Sequence, residues 1–267
     1  MTVKGSVLIT GASKGIGRAI AVKLAYNNQY KLALLSRDTN KLIETKKICE
    51  MVNPNVDIML ISCDITDNNK LKQNIDKIND IFGPLMILVN NAGYLYKHLI
   101  NDEINYKNVQ KSYDINVNAV INTCTYAMKY LIENKKKYPE LTSAVVNIGS
   151  TASTLRGGSA RLSIYASTKF AIRGFTTFLF KELRDYGIKV SIVMPGFVNT
   201  EMITNETHPG SSTKQVRQSM LKPNDVANAV EFVINSDQTC CPLEMLLYPQ
   251  YNVMDVIKAQ EKKKSKL

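Results

Sequence analysis

Short apolar segments alternate with longer segments of helical periodicity along most of the chain, and this alternation constrains the fold more than any other feature. In the longer segments, such as 16–24 and 75–82, apolar residues recur three and four positions apart. The short segments are bounded by turn residues or charges, which is typical of strands buried on both faces of a parallel sheet. The sequence therefore predicts an α/β fold, doubly wound, with helices on both faces. The predicted strands are 7–9, 32–35, 58–61, 86–89, 144–146 and 190–193, with 243–247 as the seventh.

Several helix boundaries can also be predicted. Residues 165–186 form one long helical pattern that Gly187 can end in a left-handed conformation. Asn40 and Asp67 are candidate N-caps for the helices that they precede, and Pro223 is suited to the first turn of another helix.

The composition is that of a globular domain. Hydrophobic residues make up 45% of the 267 residues and charged residues 21%, which excludes a disordered chain and a disulfide-held miniprotein. The chain has neither an internal repeat nor a Gly/Ser linker, so we expect one catalytic domain over 1–250 and a basic, disordered tail over 251–267. Five cysteines without metal-ligand spacing favour a reducing, intracellular compartment and no metal. We expect neither a signal peptide nor a membrane span.

A net charge of +11 is compatible with three kinds of anionic partner for the protein: nucleic acid, an anionic membrane or a polyanionic small molecule. Basic residues interleaved with aromatic ones, which would indicate nucleic-acid binding, are not found. Residues 258–267 hold five lysines and one glutamate, and much of the remaining charge lies on predicted helix faces.

A glycine-rich turn follows the first predicted strand. Gly11 allows the tight turn, Gly15 lets the backbone approach a pyrophosphate, and Gly17 lets the next helix pack close to the sheet. The helix N-terminus offers unpaired N–H groups to phosphates. Placed between a strand and a helix, these glycines predict a dinucleotide site that includes Ser13, Lys14 and Ile16.

Four further motifs follow in a fixed order: Asn90-Asn91-Ala92-Gly93, Asn116, Tyr165-Ala166-Ser167-Thr168-Lys169 and Pro195-Gly196-Phe197-Val198-Asn199-Thr200. With the glycine turn, they resemble the short-chain dehydrogenase/reductase family over about residues 5–250. The resemblance implies a single Rossmann-like domain with a seven-stranded parallel sheet, in which a nicotinamide cofactor exchanges a hydride with a carbonyl or alcohol. It also implies cofactor contacts from Asn90, Ala92, Gly93, Tyr165, Lys169, Pro195, Gly196, Val198 and Thr200.

The spacing of Tyr165 and Lys169 has its own chemical meaning. The two lie four residues apart, on one helix face. We expect the ammonium to lower the pKa of the phenol, which brings Tyr165 closer to the neutral range in which a general acid/base is most effective. Ser150 can stabilise charge on a substrate carbonyl, and Ser153 is the alternative serine because either spacing to Tyr165 departs from the usual one. The resemblance implies that Asn116 holds a water on a proton path from Lys169.

Cofactor choice is predicted from the end of the second strand. Ser36 stands where an enzyme specific for NAD(H) usually has a carboxylate, and Arg37 follows it. A guanidinium suits a 2′-phosphate, and Lys14 adds a second cation, so we expect NADP(H), with Asp38 facing solvent or capping the next helix together with Asn40. Asp64 and Ile65 resemble the adenine-binding pair of the family; the alternative is a helix cap near Asp67.

Substrate identity is left open by the sequence. The segment 201–221 is expected to form a lid with a tip at 208–212 and apolar candidates Met202, Ile203 and Met220, while His98 is expected to be exposed. The first interpretation is an NADP(H)-dependent keto reductase that acts on a small carbonyl compound. The alternatives are a peroxisomal reductase of ketoacyl or enoyl thioesters and a catalytically silent cofactor-binding regulator.

Two further expectations concern partners. The terminal Ser265-Lys266-Leu267 matches a peroxisomal import signal, with the cytoplasm as the alternative location. The resemblance implies a homodimer or homotetramer joined through 105–133 and 165–186. The phenylalanines at 170, 175, 178 and 180 are candidates for that contact, and packing on the sheet is the alternative for each ring.

Overall fold

A computed structural model describes residues 4–99, 103–154, 161–203 and 213–264. The first half of the chain alternates strands and helices in the predicted manner. Its elements are β1 (Ser6–Thr10), α1 (Gly15–Asn27), β2 (Lys31–Ser36), α2 (Thr39–Val52), β3 (Ile58–Ser62), α3 (Asn68–Lys77), β4 (Leu85–Asn90), α4 (Tyr106–Tyr113) and α5 (Ala119–Lys137).

The second half continues the alternation and ends in a helix. Its elements are β5 (Ala144–Ile148), α6 (Ser163–Leu183), β6 (Lys189–Pro195), α7 (Lys214–Ser219), α8 (Pro223–Asn235), β7 (Glu244–Leu247) and α9 (Val253–Lys264). Single π turns over Ile78–Phe82 and Asp114–Asn118 follow α3 and α4, and a 3₁₀ turn over Thr151–Ser153 follows β5.

Within the described residues, seven strands form one parallel sheet in the order β3-β2-β1-β4-β5-β6-β7. This confirms the predicted doubly wound, Rossmann-like fold, including the seventh strand. The order reverses between β1 and β4, because the chain moves outward to β3 and then returns to the other side of β1. Ligands of such sheets bind at this reversal, beyond the carboxyl ends of the strands.

The core consists of two apolar layers, one on each face of the sheet. Alternate residues of β1 separate between them: Val7 and Ile9 face α1, α2 and α8, whereas Leu8 faces α3, α5 and α6. All five residues of β1 are buried, which is why the strand reads as an unbroken apolar run. The edge strand β7 is partly buried on one face, through Met245 and Leu247, and Leu246 on its other face is half exposed.

The helix boundaries correct two expectations. Asp38, rather than Asn40, caps α2: its carboxylate accepts from the Lys41 N–H at 3.0 Å, and Asn40 lies inside the helix. Asp67 caps α3 as predicted, and Gly187 (φ 70°) follows the long helix as its left-handed cap. The expected disorder of the tail is wrong for residues 253–264, which form α9 because its apolar residues have a surface to pack against.

None of the helices in the described part of the chain has the length and hydrophobicity needed to cross a bilayer. Residues 265–267, which carry the predicted import signal, lie outside that part.

Candidate active site

A cavity of about 570 Å³ lies at the carboxyl ends of the strands, over the reversal of strand order. Its walls combine the turn after β1, the ends of β2 and β3, the loops after β4, β5 and β6, and the start of α6. Most residues predicted to hold a cofactor line it: Gly11, Ser13, Lys14, Gly15, Ile16, Arg37, Asp64, Ile65, Ala92, Gly93, Tyr165, Lys169, Pro195, Gly196, Val198 and Thr200.

The glycine turn has the geometry that its sequence predicts. Gly11 and Gly15 have φ values of 67° and 56°, which disfavour residues with a side chain. A Cβ on Gly17 would lie 2.3 Å from the Gly11 carbonyl oxygen, so only glycine fits there. Gly17 itself is buried behind the turn and does not line the cavity.

The N-terminus of α1 fits an anionic ligand. Within the described residues, the side chain of the N-cap residue, Lys14, accepts no hydrogen bond from the N–H groups of α1, and the first turn of α1 carries no acidic residue. Its first N–H groups are therefore not capped by a side chain at the edge of the cavity, and the helix dipole favours negative charge there. A cofactor phosphate matches this position.

Arg18 holds the turn in place, a role that the sequence reasoning missed. Its guanidinium donates to the Ser13 carbonyl at 2.6 Å, to Thr45 Oγ1 at 3.0 Å and to the Glu44 carboxylate at 3.0 Å. These bonds connect the turn to α2. The position of Arg18 directly after Gly17 was the available signal, but its partners on α2, Thr45 and Glu44, lie more than twenty residues away.

Cations gather at the β2 end of the cavity. Arg37 lies 3.6 Å from the Asp64 carboxylate, and Lys14 and Lys41 share the Glu201 carboxylate at 2.7 and 3.4 Å. Lys41 was not predicted, because only folding brings the first turn of α2 to this wall. Glu201 was expected in the lid and not as the partner of Lys14.

The end of β2 carries no carboxylate, as its sequence shows. The Ser36 hydroxyl instead donates to Ser13 Oγ at 2.9 Å. Burial acts to raise the pKa of Asp64, but hydrogen bonds from Thr66 and the charge of Arg37 outweigh it, so this pKa lies below its usual value. Asp64 is thus a carboxylate on the cavity wall, whereas the helix cap is Asp67.

The loop after β4 is tied to the glycine turn through Asn91. The Asn91 side chain donates to the Thr10 carbonyl at 2.9 Å and to the Gly11 carbonyl at 3.2 Å. The prediction chose Asn90, but the Asn90 amide donates to Asn147 Oδ1 at 2.9 Å and to Cys124, away from the cavity. The reason is that successive residues at a strand end point to opposite faces.

Tyr165 and Ser150 form the reactive end of the cavity, with Lys169 behind them. Tyr165 and Ser150 are hydrogen bonded to each other through their side chains, and both line the cavity. The Lys169 ammonium lies 5.8 Å from the centre of the Tyr165 ring and donates to the Ile148 carbonyl at 2.9 Å. A hydroxyl pair beside a buried cation can bind a carbonyl oxygen and pass it a proton.

The expected direction of the Tyr165 pKa is wrong for this structure. Burial raises the pKa of Tyr165 to about 12, and the hydrogen bond with Ser150 only partly offsets this rise. Burial also lowers the pKa of Lys169 to about 8. The ammonium is held by a backbone carbonyl instead of by the phenol, so desolvation outweighs the attraction between them.

The two candidate serines differ in position. Ser150 opens the 3₁₀ turn after β5, and its hydroxyl accepts from the Ala152 N–H at 3.1 Å. Ser153 is fully buried, and its hydroxyl donates to the Ser150 carbonyl at 2.7 Å. The geometry therefore favours Ser150. A small insertion at 155–158, which the long spacing between Ser150 and Tyr165 predicts, falls outside the described residues.

Asn116 is buried behind the cavity wall, in the π turn before α5. Its side chain is used within the protein: Nδ2 donates to the Tyr94 carbonyl at 2.8 Å and to Thr168 Oγ1 at 3.0 Å, and Oδ1 accepts from the Tyr94 N–H at 2.7 Å. Asn116 thus holds the loop after β4 against α6. Its role in a proton path stays a prediction.

The expectations for the lid hold for two of its three apolar candidates, and the expectation for His98 is wrong. Met202 and Ile203 line the cavity, whereas Met220 is buried beneath it; the tip at 208–212 lies outside the described residues. His98 is not exposed: it is 5% accessible and stacks on Tyr96 with ring centres 5.6 Å apart. An aromatic neighbour covers the imidazole, which is absent from the cavity wall.

Comparisons with known proteins agree with this geometry. The short chain dehydrogenase family model matches residues 5–210. Carbonyl reductase family member 4 of Xenopus tropicalis is 31% identical over 229 residues, which cover 85% of this chain and 90% of that protein. Human 15-hydroxyprostaglandin dehydrogenase [NAD(+)] is 31% identical over 251 residues, 89% of either chain. A short chain dehydrogenase from Burkholderia cenocepacia, crystallised with NADP, is 27% identical with a TM-score of 0.79 over 92% of this chain and 96% of its own.

Replacing Lys169 by methionine should stabilise the protein at neutral pH. Burial in the folded state lowers the Lys169 pKa from 10.5 to about 8. At neutral pH the lysine is protonated in both states, and its charged form costs more free energy in the folded state than in the unfolded chain. This cost is complete below about pH 8 and disappears as the pH rises towards 10.5. After allowing for the lost bond to Ile148, urea unfolding of Lys169→Met should show a gain of roughly 1 to 3 kcal/mol at neutral pH.

The gain should shrink as the pH rises from about 8 to 10.5. Lys181→Met, at an exposed position of the same helix, is the control and should change stability by less than about 0.5 kcal/mol. If Lys169→Met loses stability, or if its gain in unfolding free energy does not depend on pH, then the Lys169 ammonium does not destabilise the folded state in the way that its lowered pKa implies.

Proposed function

The chain belongs to the short-chain dehydrogenase family, and from this premise we propose that it is an oxidoreductase that transfers a hydride between NADP(H) and a carbonyl or secondary alcohol. One observation carries the proposal: a single cavity joins a glycine turn suited to a pyrophosphate to the Tyr165–Ser150 hydroxyl pair. The names of two relatives at 31% identity, a carbonyl reductase family member and a hydroxyprostaglandin dehydrogenase, fall within this reaction class.

NADP(H) supplies the hydride acceptor or donor, which no side chain can provide. In the reducing direction, the carbonyl oxygen accepts hydrogen bonds from Tyr165 and Ser150. Tyr165 Oη then gives its proton to this oxygen as the carbon gains the hydride, and Ser150 stabilises the developing charge. Lys169 is positioned to return a proton towards Tyr165 and to stabilise its phenolate. The oxidation of an alcohol uses the same groups in reverse.

The choice of NADP(H) rests on the β2 end of the cavity. Arg37, Lys14 and Lys41 are three cations on one wall, and Ser36 replaces the carboxylate that would bind the ribose of NAD(H). The Burkholderia structure with NADP supports this choice. The human relative, whose name specifies NAD(+), shows that family membership alone does not decide it.

Steady-state oxidation of NADPH against ketones, quinones and acyl-CoA thioesters tests the function. The wild-type protein should reduce a ketone with NADPH and be at least about tenfold less efficient with NADH, because only NADPH carries the phosphate that the cations attract. Tyr165→Phe should lower kcat by about a hundredfold or more, since the proton donor is lost.

Tyr186→Phe, near the other end of the same helical segment, is the matched control and should retain full activity. Equal efficiency with NADH and NADPH would contradict the cofactor assignment. Full activity of Tyr165→Phe would contradict the role of the tyrosine, and turnover of thioesters alone would favour the acyl-CoA alternative.

We propose that the protein forms a homodimer or homotetramer through α6. Of the four phenylalanines in this region, Phe170 and Phe178 are 42% and 63% exposed, whereas Phe175 and Phe180 pack against the core. The two exposed rings lie eight residues apart, on the same side of the helix, and leave an apolar strip that a second copy would cover.

Light scattering should give a dimeric or tetrameric mass for the wild-type protein. Phe178→Ser should give a smaller mass, because the contact between copies loses the more exposed of its two phenylalanine rings. Tyr26→Ser, at a 71% exposed aromatic residue of α1, is the control and should keep the wild-type mass. A monomeric wild-type protein would refute the proposed oligomer.

We also propose import into peroxisomes through Ser265-Lys266-Leu267. The support is the tripeptide itself, which follows a run of lysines. A fluorescent protein fused before residue 1 should colocalise with a peroxisomal marker, and removal of the three residues should leave the fusion in the cytoplasm. Colocalisation that survives the removal, or a cytoplasmic full-length fusion, would disprove the proposal.

A further inference from the structure

The C-terminal helix α9 packs against the elements that close the cavity. Val253 and Ile257, four residues apart on one helix face, are 2% and 4% exposed. They share a small apolar cluster with Ile203 from the loop after β6 and with Val216 and Met220 from the α7 region. This cluster is separate from the two core layers of the sheet, so burial of apolar area holds α9 beside the cavity.

Met254 reaches the cavity from this helix. It lies between Val253 and the exposed Asp255, packs against the same small cluster and lines the cavity wall. Leu95 from the loop after β4 and Phe197 from the loop after β6 pack against the same cluster. Met254 therefore lies on the β4–β6 side, where Tyr165 and Ser150 also lie.

The described walls of the cavity differ in charge between its two ends. The charged side chains on its walls are Lys14, Arg37, Asp38, Lys41, Asp64 and Glu201, near the ends of β2 and β3, together with Lys169. The apolar side chains that line the cavity from the loops after β4 and β6, from the segment before α6 and from α9 include Leu95, Leu162, Phe197, Met202, Ile203 and Met254. Among described residues, Lys169 is the charged side chain at this end, and the other side chains that a substrate meets are apolar or carry uncharged hydroxyl groups.

We propose that α9 is a wall of the substrate site and that Met254 is a specificity-determining residue, which contacts the apolar part of an uncharged carbonyl substrate. The inference rests on the proposed function and deepens it by naming the substrate class. A flexible thioether suits this position because it fills irregular apolar space. A substrate group extending from the carbonyl carbon along this wall would exclude water from Met254, and this contact grows with the length of the group.

Chain-length dependence of kcat/KM tests the inference. Methyl ketones from butanone to decanone are compared in wild-type protein and in Met254→Ala, Met254→Leu and Lys258→Ala. We expect Met254→Ala to lower kcat/KM for decanone about tenfold and for butanone less than about twofold, because only the longer chain reaches the missing side chain. Met254→Leu should stay within about threefold of wild type for both ketones.

Lys258→Ala is the matched control, because it shortens an equally long side chain at an exposed position one turn further along α9. It should leave both values unchanged, and the Kd for NADPH should be unchanged in all three variants. Equal losses for butanone and decanone in Met254→Ala, or no loss for either, would overturn the inference.

Calorimetric titration of decanone into the protein loaded with NADP⁺ reads the same contact without turnover, because the oxidised cofactor has no hydride to give to a ketone. We expect Met254→Ala to raise the Kd for decanone about tenfold. If the wild-type protein binds decanone through Met254 but reduces no carbonyl, the proposed function and the substrate class fail, and the role of Met254 as an apolar contact for the ligand stands. If Met254→Ala leaves this Kd unchanged, or the wild-type protein does not bind decanone, the inference is wrong whatever the activity.

Discussion

The close approach of the turn after β1 to the loop after β4 is the contact on which the rest of the site depends. Strand order reverses between these two strands, so their loops would otherwise diverge. Thr10 Oγ1 accepts from the N–H groups of Asn91 and Ala92 at 3.0 and 3.1 Å, and the Asn91 side chain donates back to the carbonyls of Thr10 and Gly11. A Cβ on Gly17 would lie 2.5 Å from Asn91 Nδ2, so the missing side chain makes room for this contact. One glycine thus fixes both the floor of the cofactor site and the loop that leads to Asn116.

The two ends of the cavity need opposite environments, and the fold separates them along the sheet. The cations at the β2 end are partly exposed, so they remain hydrated and contribute little to stability, yet they can attract a phosphate. Lys169 is the exception, since it is buried and its pKa is lowered to about 8. Its ammonium is tolerated because the Ile148 carbonyl accepts from it. A cation that costs stability at the reactive end is consistent with selection for chemistry instead of folding.

The features that the sequence predicts correctly are those determined by residues close together in the chain. The sequence predicts the central strands because both their faces are buried, and it predicts the glycine turn because the backbone angles there exclude other residues. Contacts between distant segments had no such signal: Lys41 reaches the cavity only after α2 packs, and Glu201 meets Lys14 across 187 residues. The pKa of Tyr165 was misjudged for the same reason, because the i, i+4 spacing gives the neighbouring charge but not the burial that outweighs it. The disorder expected for the C-terminal tail is wrong for α9 because lysines dominate the composition of the tail, while the few apolar residues that hold α9 in place precede them.

The segment after β6 links the two ends of the cavity through very few residues. Arg217 of α7 fixes it by donating to Asn199 Oδ1 at 3.1 Å and to the Thr200 carbonyl at 3.0 Å. Glu201 then pairs with the cations of the cofactor end, and two residues later Ile203 packs with α9. One short segment thus contacts both the cations of the cofactor end and the apolar cluster that holds α9. The C-terminal helix, although last in the chain and outside the sheet, is therefore connected to the cofactor site through three consecutive residues, 201–203.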